Sequence, residues 1–409
     1  MSATLLLADW VVPITADVIE NGAVVVDEDG VIVAVGAAAG VITSFPSTPQ
    51  RRINGALMPA LVNAHTHVEL SALRGLVPGG QGLVKWVHAL MPLSRGLAAE
   101  QKLQGMRLAI EELWACGTAA IGDVANGLDA ATALAASPLQ GTFFHELLGS
   151  HDVATGDALL AARKNHDVMV NNGSWPTRFA YVQAPHAPYS ASPSLLQRIF
   201  DAAKARNERT TIHVAEDPDE LALLLRGEGP WPDILAAMGV PAGQRTPKQN
   251  PVAYLAAQGA FAGTKPPLLV HMTCADAADV GLAAKAKAPV ILCPRSNLHV
   301  GGRLPDVPAL ITAGAHLALG TDSLASNASL SLWEEMAKLH EHFGNVDPVH
   351  WLRAATHGGA LALDRPWLGS IALGKKPGLV AIEVQSATGS LMPALMRTVP
   401  STLHWVVAP

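Results

Sequence analysis

Between residues 57 and 322, eight short apolar runs alternate with stretches of helical length and spacing. The runs fall at roughly 57–67, 118–124, 141–147, 178–185, 209–214, 267–272, 289–293 and 315–322. Segments such as Ala98 to Cys116, Pro193 to Arg206 and Ala275 to Ala286 have the apolar periodicity of helices. A helix between two strands carries the chain back to the starting edge, so successive strands pair in parallel. Eight such units predict an α/β fold closed as a (β/α)8 TIM barrel. The competing topology, an open doubly wound sheet, calls for a Gly-rich phosphate loop, and the sequence offers none.

The two ends of the chain have a different texture. Ala23 to Asp27 and Val31 to Gly36 are Val/Ile runs joined through Asp and Gly, which are hairpin signals, and Gly369 to Val384 resembles them. Because chain ends tend to lie close together, residues 1–56 and 369–409 are expected to form one small discontinuous β-sandwich domain beside a barrel at 57–368. With 49% apolar and 15% charged residues, the chain can bury a large core and is not a disordered one. Its 28 basic and 34 acidic residues give −6 with no Lys/Arg cluster, which argues against nucleic acid as a partner. Cys116, Cys274 and Cys293 are too scattered for a disulfide framework. The first ten residues lack a basic start and no segment has the length of a membrane span, so a cytoplasmic protein without membrane contact is expected.

Functional groups of a barrel gather at the C-terminal ends of its strands. The first run ends in His65-Thr66-His67, and an i, i+2 pair on a strand presents both imidazoles on one face. The other ends supply Glu146 on run three, His186 after run four, His213 with Glu216 after run five, His271 closing run six and Asp322 closing run eight. Three histidines and an aspartate suit one divalent ion, zinc or iron(II), with a position left for water. Two other patterns are decoys. His145-Glu146-Leu147-Leu148-Gly149 lacks the closing histidine of a zinc-protease helix, and His340-Glu341-His342 lies on a charged surface helix.

Met58 to Leu70, Pro185 to Ser190, His213-Val214-Ala215-Glu216, Leu269-Val270-His271 and Leu319 to Ser323 together resemble the amidohydrolase superfamily, within its nucleobase and nucleoside deaminase branch. The resemblance implies metal ligands at His65, His67, His213 and Asp322, and a mononuclear site, since 178–185 contains no lysine to bridge a second ion. It also implies hydrolytic deamination of a ring amine. In that chemistry the metal lowers the pKa of its water to about 7, Asp322 accepts the water's proton, Glu216 protonates the ring nitrogen and His271 stabilises charge. Cys293 to His299 resembles the aminodeoxyfutalosine deaminases of menaquinone biosynthesis, which implies a nucleoside substrate with a carboxyphenyl group. Arg295 offers that carboxylate a bidentate partner. His186 resembles the family's substrate-orienting histidine, and Glu146 and Trp86 are further substrate-side candidates. Lys85 departs from the acidic residue that related deaminases place before the tryptophan. S-adenosylhomocysteine, methylthioadenosine or guanine deamination would use the same metal set, and a catalytically silent metal-binding barrel is the non-enzyme alternative. A homodimer is implied by the family alone.

Overall fold

The computed structural model describes residues 3–149, 155–237, 246–384, 391–398 and 400–409. Its strands are β1 (Thr4–Val11), β2 (Ile19–Val26), β3 (Ile32–Ala37), β4 (Gln50–Pro59), β5 (Leu61–Thr66), β6 (Thr118–Ala125) and β7 (Gln140–Leu147), followed by β8 (Phe179–Pro185), β9 (Thr211–Val214), β10 (Leu268–His271), β11 (Pro289–Leu292), β12 (His316–Leu319), β13 (Leu379–Ile382) and β14 (Leu403–Val407). Strands β5 to β12 occupy the eight expected runs. They form two four-stranded sheets, β5-β6-β7-β8 and β9-β10-β11-β12, with parallel pairing at β7/β8, β9/β10, β10/β11 and β11/β12. Beyond the sheets, Thr66 bridges Asp322 in parallel, and His213 N donates to His186 O at 3.0 Å.

The first run serves two sheets. Pro59 ends β4 without an N–H to continue a ladder. Ala60 N then donates to Gly378 O, and Leu61 N to Gly117 O. The break passes the chain from the terminal sheet into the parallel one. That terminal sheet runs β14-β13-β4-β1-β2-β3, so strands from both chain ends share it. In the turn between β2 and β3, Asp27 Oδ1 accepts from Asp29 N and Val31 N. Alternating residues feed opposite faces. Leu5, Ala23 and Val25 pack with Val41 of helix Ala38–Ser44, whereas Leu6, Ala8, Val24 and Val26 join Ile53 and Leu57.

Local chemistry sets the helix ends. In Pro193–Arg206, Ser192 Oγ accepts from Leu195 N, Pro193 opens the first turn, and Asn207 closes in the left-handed region at φ 53°. In Ala277–Ala286, Asp276 accepts from Asp279 N. The chain divides into two compact units, one of Met1–Ala64, Glu111–Ile121 and Ser331–Pro409 and the other of His65–Ile110 and Gly122–Leu330. In the first, Trp333 Nε1 donates to Cys116 O and Trp114 stacks on Trp405 at 4.0 Å. Every candidate site residue lies in the second. Among the described residues the three cysteines form no disulfide, and no helix is long and apolar enough to cross a membrane.

Candidate active site

His65 is the fifth residue of β5 and His67 follows that strand; His213 lies on β9, and Asp322 comes three residues after β12. The structure brings all four together. His67 Nε2 and His213 Nε2 face each other at 3.3 Å, and Asp322 Oδ1 stands 3.7 Å from His65 Nε2 and 3.6 Å from His67 Nε2. Gly320 makes the approach of β12 to β5 possible, since a Cβ there would meet His65 Cβ at 2.7 Å and His65 O at 2.8 Å. Asp322 has φ 56°, Ala215 φ 51°, His271 φ 75° and Met272 φ 53°. Such conformations disfavour residues other than glycine, so the surrounding structure must hold them in place.

The donor set fits a divalent ion. Donors about 2.0–2.2 Å from one ion in a tetrahedral array stand roughly 3.3–3.6 Å apart, close to the separations here. His213 Nδ1 donates to His186 O at 3.0 Å, which leaves the Nε2 lone pair directed at His67. Two ring nitrogens facing each other at that distance are stabilised by a cation. Burial, reinforced by the neighbouring His65, pushes His67 down to about 3, and burial holds His213 well below the usual imidazole range. Burial alone would raise Asp322, but the contact with His65 and the electrostatic influence of the His67 and His271 rings hold it well below the usual carboxylate range. Neutral imidazoles beside an ionised carboxylate are the protonation states that metal binding needs. Among the described residues a second close group, Glu146, His186 and His213, shares one histidine with the first.

Glu216 leaves the turn after β9, and its Oε1 lies 3.6 Å from His271 Nε2. Burial, reinforced by Asp322, Glu220, Asp217 and Glu146, pushes Glu216 well above the usual carboxylate range. A protonated acid is thereby available near neutrality. His271 Nδ1 donates to Asn297 Oδ1 at 2.7 Å, which leaves Nε2 as an acceptor toward Glu216. Asp322 Oδ2 accepts from Ser296 Oγ and from Ser326 Oγ at 2.9 Å, so the other oxygen is turned to the histidines. Ser326, Glu220, Ser296 and Asn297 are given no role by the sequence pattern alone, and the structure supplies one for each. Glu220, four residues after Glu216 and wholly buried, carried a signal in its spacing.

The substrate-side candidates divide. Glu146 is buried, its Oε2 accepts from Asn126 Nδ2 at 2.9 Å and its Oε1 is 3.4 Å from His213 Nδ1; burial pushes it up to about 7. His186 Nδ1 donates to Ser190 Oγ at 2.6 Å. Arg295 Nη1 donates to Ser329 Oγ at 2.9 Å. Trp86, on helix Leu83–Gly96, packs among Leu83, Val84, Leu73 and Val77, and its described contacts are apolar. His145 turns from the cluster to Tyr181 OH at 2.8 Å.

His186 gives a pH test. Burial lowers it from 6.5 to about 4, so the folded chain resists a proton that the unfolded chain accepts. Its contribution to stability is present above about pH 6.5 and lost as pH falls toward about 4, up to about 3 kcal/mol. In urea unfolding of the metal-free protein, wild type is expected to lose stability relative to His186→Asn across that window. Parallel curves would refute the shift.

Comparison with known proteins bears on the chain as a whole. The sequence model of the amidohydrolase family matches residues 56–400. An aminodeoxyfutalosine deaminase of Deinococcus radiodurans is 32% identical over 362 residues, covering 85% of this chain and 84% of that protein. A 5-methylthioadenosine/S-adenosylhomocysteine deaminase of Pelotomaculum thermopropionicum is 30% identical over 369 residues, covering 86% and 78%. A crystal structure of an adenosine deaminase from Xanthomonas campestris with bound zinc superposes with a TM-score of 0.81 at 28% identity, covering 99% of this chain and 91% of that one. The chain therefore belongs to the amidohydrolase family and is a hydrolase acting on carbon–nitrogen bonds.

Proposed function

We propose that this protein is a metal-dependent deaminase that hydrolyses the ring amine of an adenosine-like nucleoside, with 6-amino-6-deoxyfutalosine as the preferred substrate and futalosine and ammonia as products. The observation that carries the reading is the placement of Glu216, whose protonated form burial favours, 3.6 Å from His271 beside the His65, His67, His213 and Asp322 donor set. The similarity to the Deinococcus protein supports the substrate, and a place in menaquinone biosynthesis would follow from it. The similar identity to the Pelotomaculum protein carries the second reading, methylthioadenosine or S-adenosylhomocysteine. The Thr66 bridge to Asp322 supports closure of the two parallel sheets as a (β/α)8 barrel spanning 57–368. The shared terminal sheet, apolar on both faces, supports a β-sandwich domain from 1–56 and 369–409.

His65, His67, His213 and Asp322 would hold one zinc or iron(II) ion. Such an ion supplies the acidity that makes water a nucleophile at neutral pH. Asp322, anchored through Oδ2, accepts the water's proton as oxygen adds to the carbon bearing the amine. Glu216 delivers its proton to the adjacent ring nitrogen, so no negative charge builds on the ring. His271, its tautomer fixed by Asn297, offers Nε2 to the incoming water and orients it. Asp322 then gives its proton to the departing amine, which leaves as ammonia as the C–N bond breaks, and the proton of the added hydroxyl passes to Glu216, leaving a ring carbonyl and restoring the acid. His186, Glu146 and Trp86 are proposed to face the nucleoside, and Arg295 its carboxylate.

Ammonia release by metal-loaded protein tests the reading, on a panel of aminodeoxyfutalosine, S-adenosylhomocysteine, methylthioadenosine, adenosine and guanine. Fast turnover of aminodeoxyfutalosine alone supports the first reading, and turnover of methylthioadenosine or S-adenosylhomocysteine the second. A silent panel with metal bound would overturn both. Arg295→Met is expected to raise KM for aminodeoxyfutalosine about tenfold more than for adenosine, the scale of one charge-assisted hydrogen bond. Equal effects would remove Arg295 from the carboxylate.

A further inference from the structure

The turn that carries Glu216 is gripped by a second glutamate. Glu220 lies in the first turns of helix Pro218–Arg226, and its side chain reaches back to the start of that turn. Its Oε1 accepts from Ala215 N at 3.0 Å and its Oε2 from Glu216 N at 2.9 Å. The residue is wholly buried. Ala215 sits at φ 51°, a conformation alanine reaches only at steric cost, so something must hold it there. Two consecutive N–H groups pointing at one carboxylate do so, because releasing the strain would break both bonds.

The surrounding bonds show how tightly the direction of Glu216 is set. From the turn after β10, Cys274 N donates to Ala215 O at 2.7 Å. On the other side, Asp217 Oδ1 accepts from Asp219 N at 2.9 Å, and its Oδ2 accepts from Leu83 N at 3.1 Å. Ala215 is therefore tied through both its N–H and its carbonyl, Glu216 through its N–H, and Asp217 through its side chain. The Cα–Cβ bond of Glu216 has little freedom, and its carboxyl comes to rest near His271 Nε2. Glu220 bonds neither His271 nor any of the four metal-ligand candidates in the described contacts; beyond its electrostatic effect on Glu216, its influence passes through the backbone.

We propose that Glu220 is the positioning residue for proton transfer in this site, its two carboxyl oxygens fixing the Ala215–Glu216 backbone so that Glu216 meets both His271 and the substrate's ring nitrogen. This rests on the reading of Glu216 as the proton donor. It separates two duties within one four-residue spacing, one glutamate to transfer the proton and one to aim it. A glutamine at 220 would offer one oxygen to one N–H while its own NH2 opposed the other, which keeps the size of the side chain and half of the grip.

The test is a double-substitution cycle on metal-loaded protein, with kcat, KM, metal content and Tm read for wild type, Glu220→Gln, Glu220→Ala, Glu216→Ala and the double Glu216→Ala/Glu220→Ala. Misaiming a reacting group costs up to about a hundredfold in rate, so kcat is expected to fall about a hundredfold in Glu220→Ala and about tenfold in Glu220→Gln. KM should change far less than kcat, and metal content should stay at the wild-type level. Adding Glu220→Ala to Glu216→Ala is expected to bring no comparable further loss, because there is no longer a carboxyl to aim. Losses that multiply in the double variant would overturn the proposal, as would a kcat loss that follows metal loss. If Glu220→Ala does not fold, Glu220→Gln decides by the same criteria, and wild-type kcat in it would overturn the proposal. Absence of nucleoside turnover by wild type, or wild-type speed in Glu216→Ala, would instead bring down the underlying reading.

Discussion

Asp322→Asn is expected to abolish metal retention and lower kcat by about a thousandfold or more, while the chain stays folded. One oxygen of Asp322 is taken by Ser296 and Ser326, and the other faces His65 and His67. Asparagine keeps the shape and can still accept from the serines. It removes the only negative charge of the proposed ligand set, and with it the proposed base for the water's proton. A neutral amide competes poorly for a divalent ion, and the loss of both metal activation and general base supports a fall of that size. Metal by mass spectrometry, Tm of the metal-free protein and ammonia release together check this. Stoichiometric metal with near wild-type turnover in Asp322→Asn would remove Asp322 from both roles.

The strand ends were legible because the pattern that makes a parallel sheet also dictates where functional groups collect. Apolar runs with intervening helices mark each strand, and His65, His213 and His271 stand on or beside the last residues of theirs. Pro59 was readable in principle, since it cannot extend a ladder, yet the apolar run continues through it and hides the change of sheet. The supports of the site were harder to read. Ser326 meets Asp322 because the chain after β12 curls back within four residues, and Asn297 meets His271 from helix Pro294–Gly301, 26 residues further on. Neither contact has a periodic signature. The left-handed backbone of Ala215, His271 and Asp322 is likewise invisible in residue type, because none of the three is a glycine. Arg295 shows the converse. Its charge was plain in the sequence, but the hydrogen bond to Ser329 exists only once helix Pro294–Gly301 and the segment after β12 come together.

Glu216→Gln is expected to lower kcat by about a hundred- to ten-thousandfold with metal content unchanged, the usual worth of a positioned general acid. Glutamine is nearly isosteric with the protonated acid that burial enforces at this position. Replacing one neutral group by another should leave Tm close to that of wild type, which separates chemistry from stability. Glu216 belongs to neither close donor group found among the described residues, so metal binding should not depend on it. The loss should fall on kcat more than on KM, because the proton moves in the transition state and the carboxyl contributes little to ground-state affinity. Glu216→Ala opens space beside His271, and millimolar formate should restore part of its rate by supplying a carboxylic acid there. Glu216→Gln has no such space, so formate should leave it unimproved. If Glu216→Gln retains wild-type kcat, the proton for the ring nitrogen comes from elsewhere, and His271, 3.6 Å away, becomes the group to test.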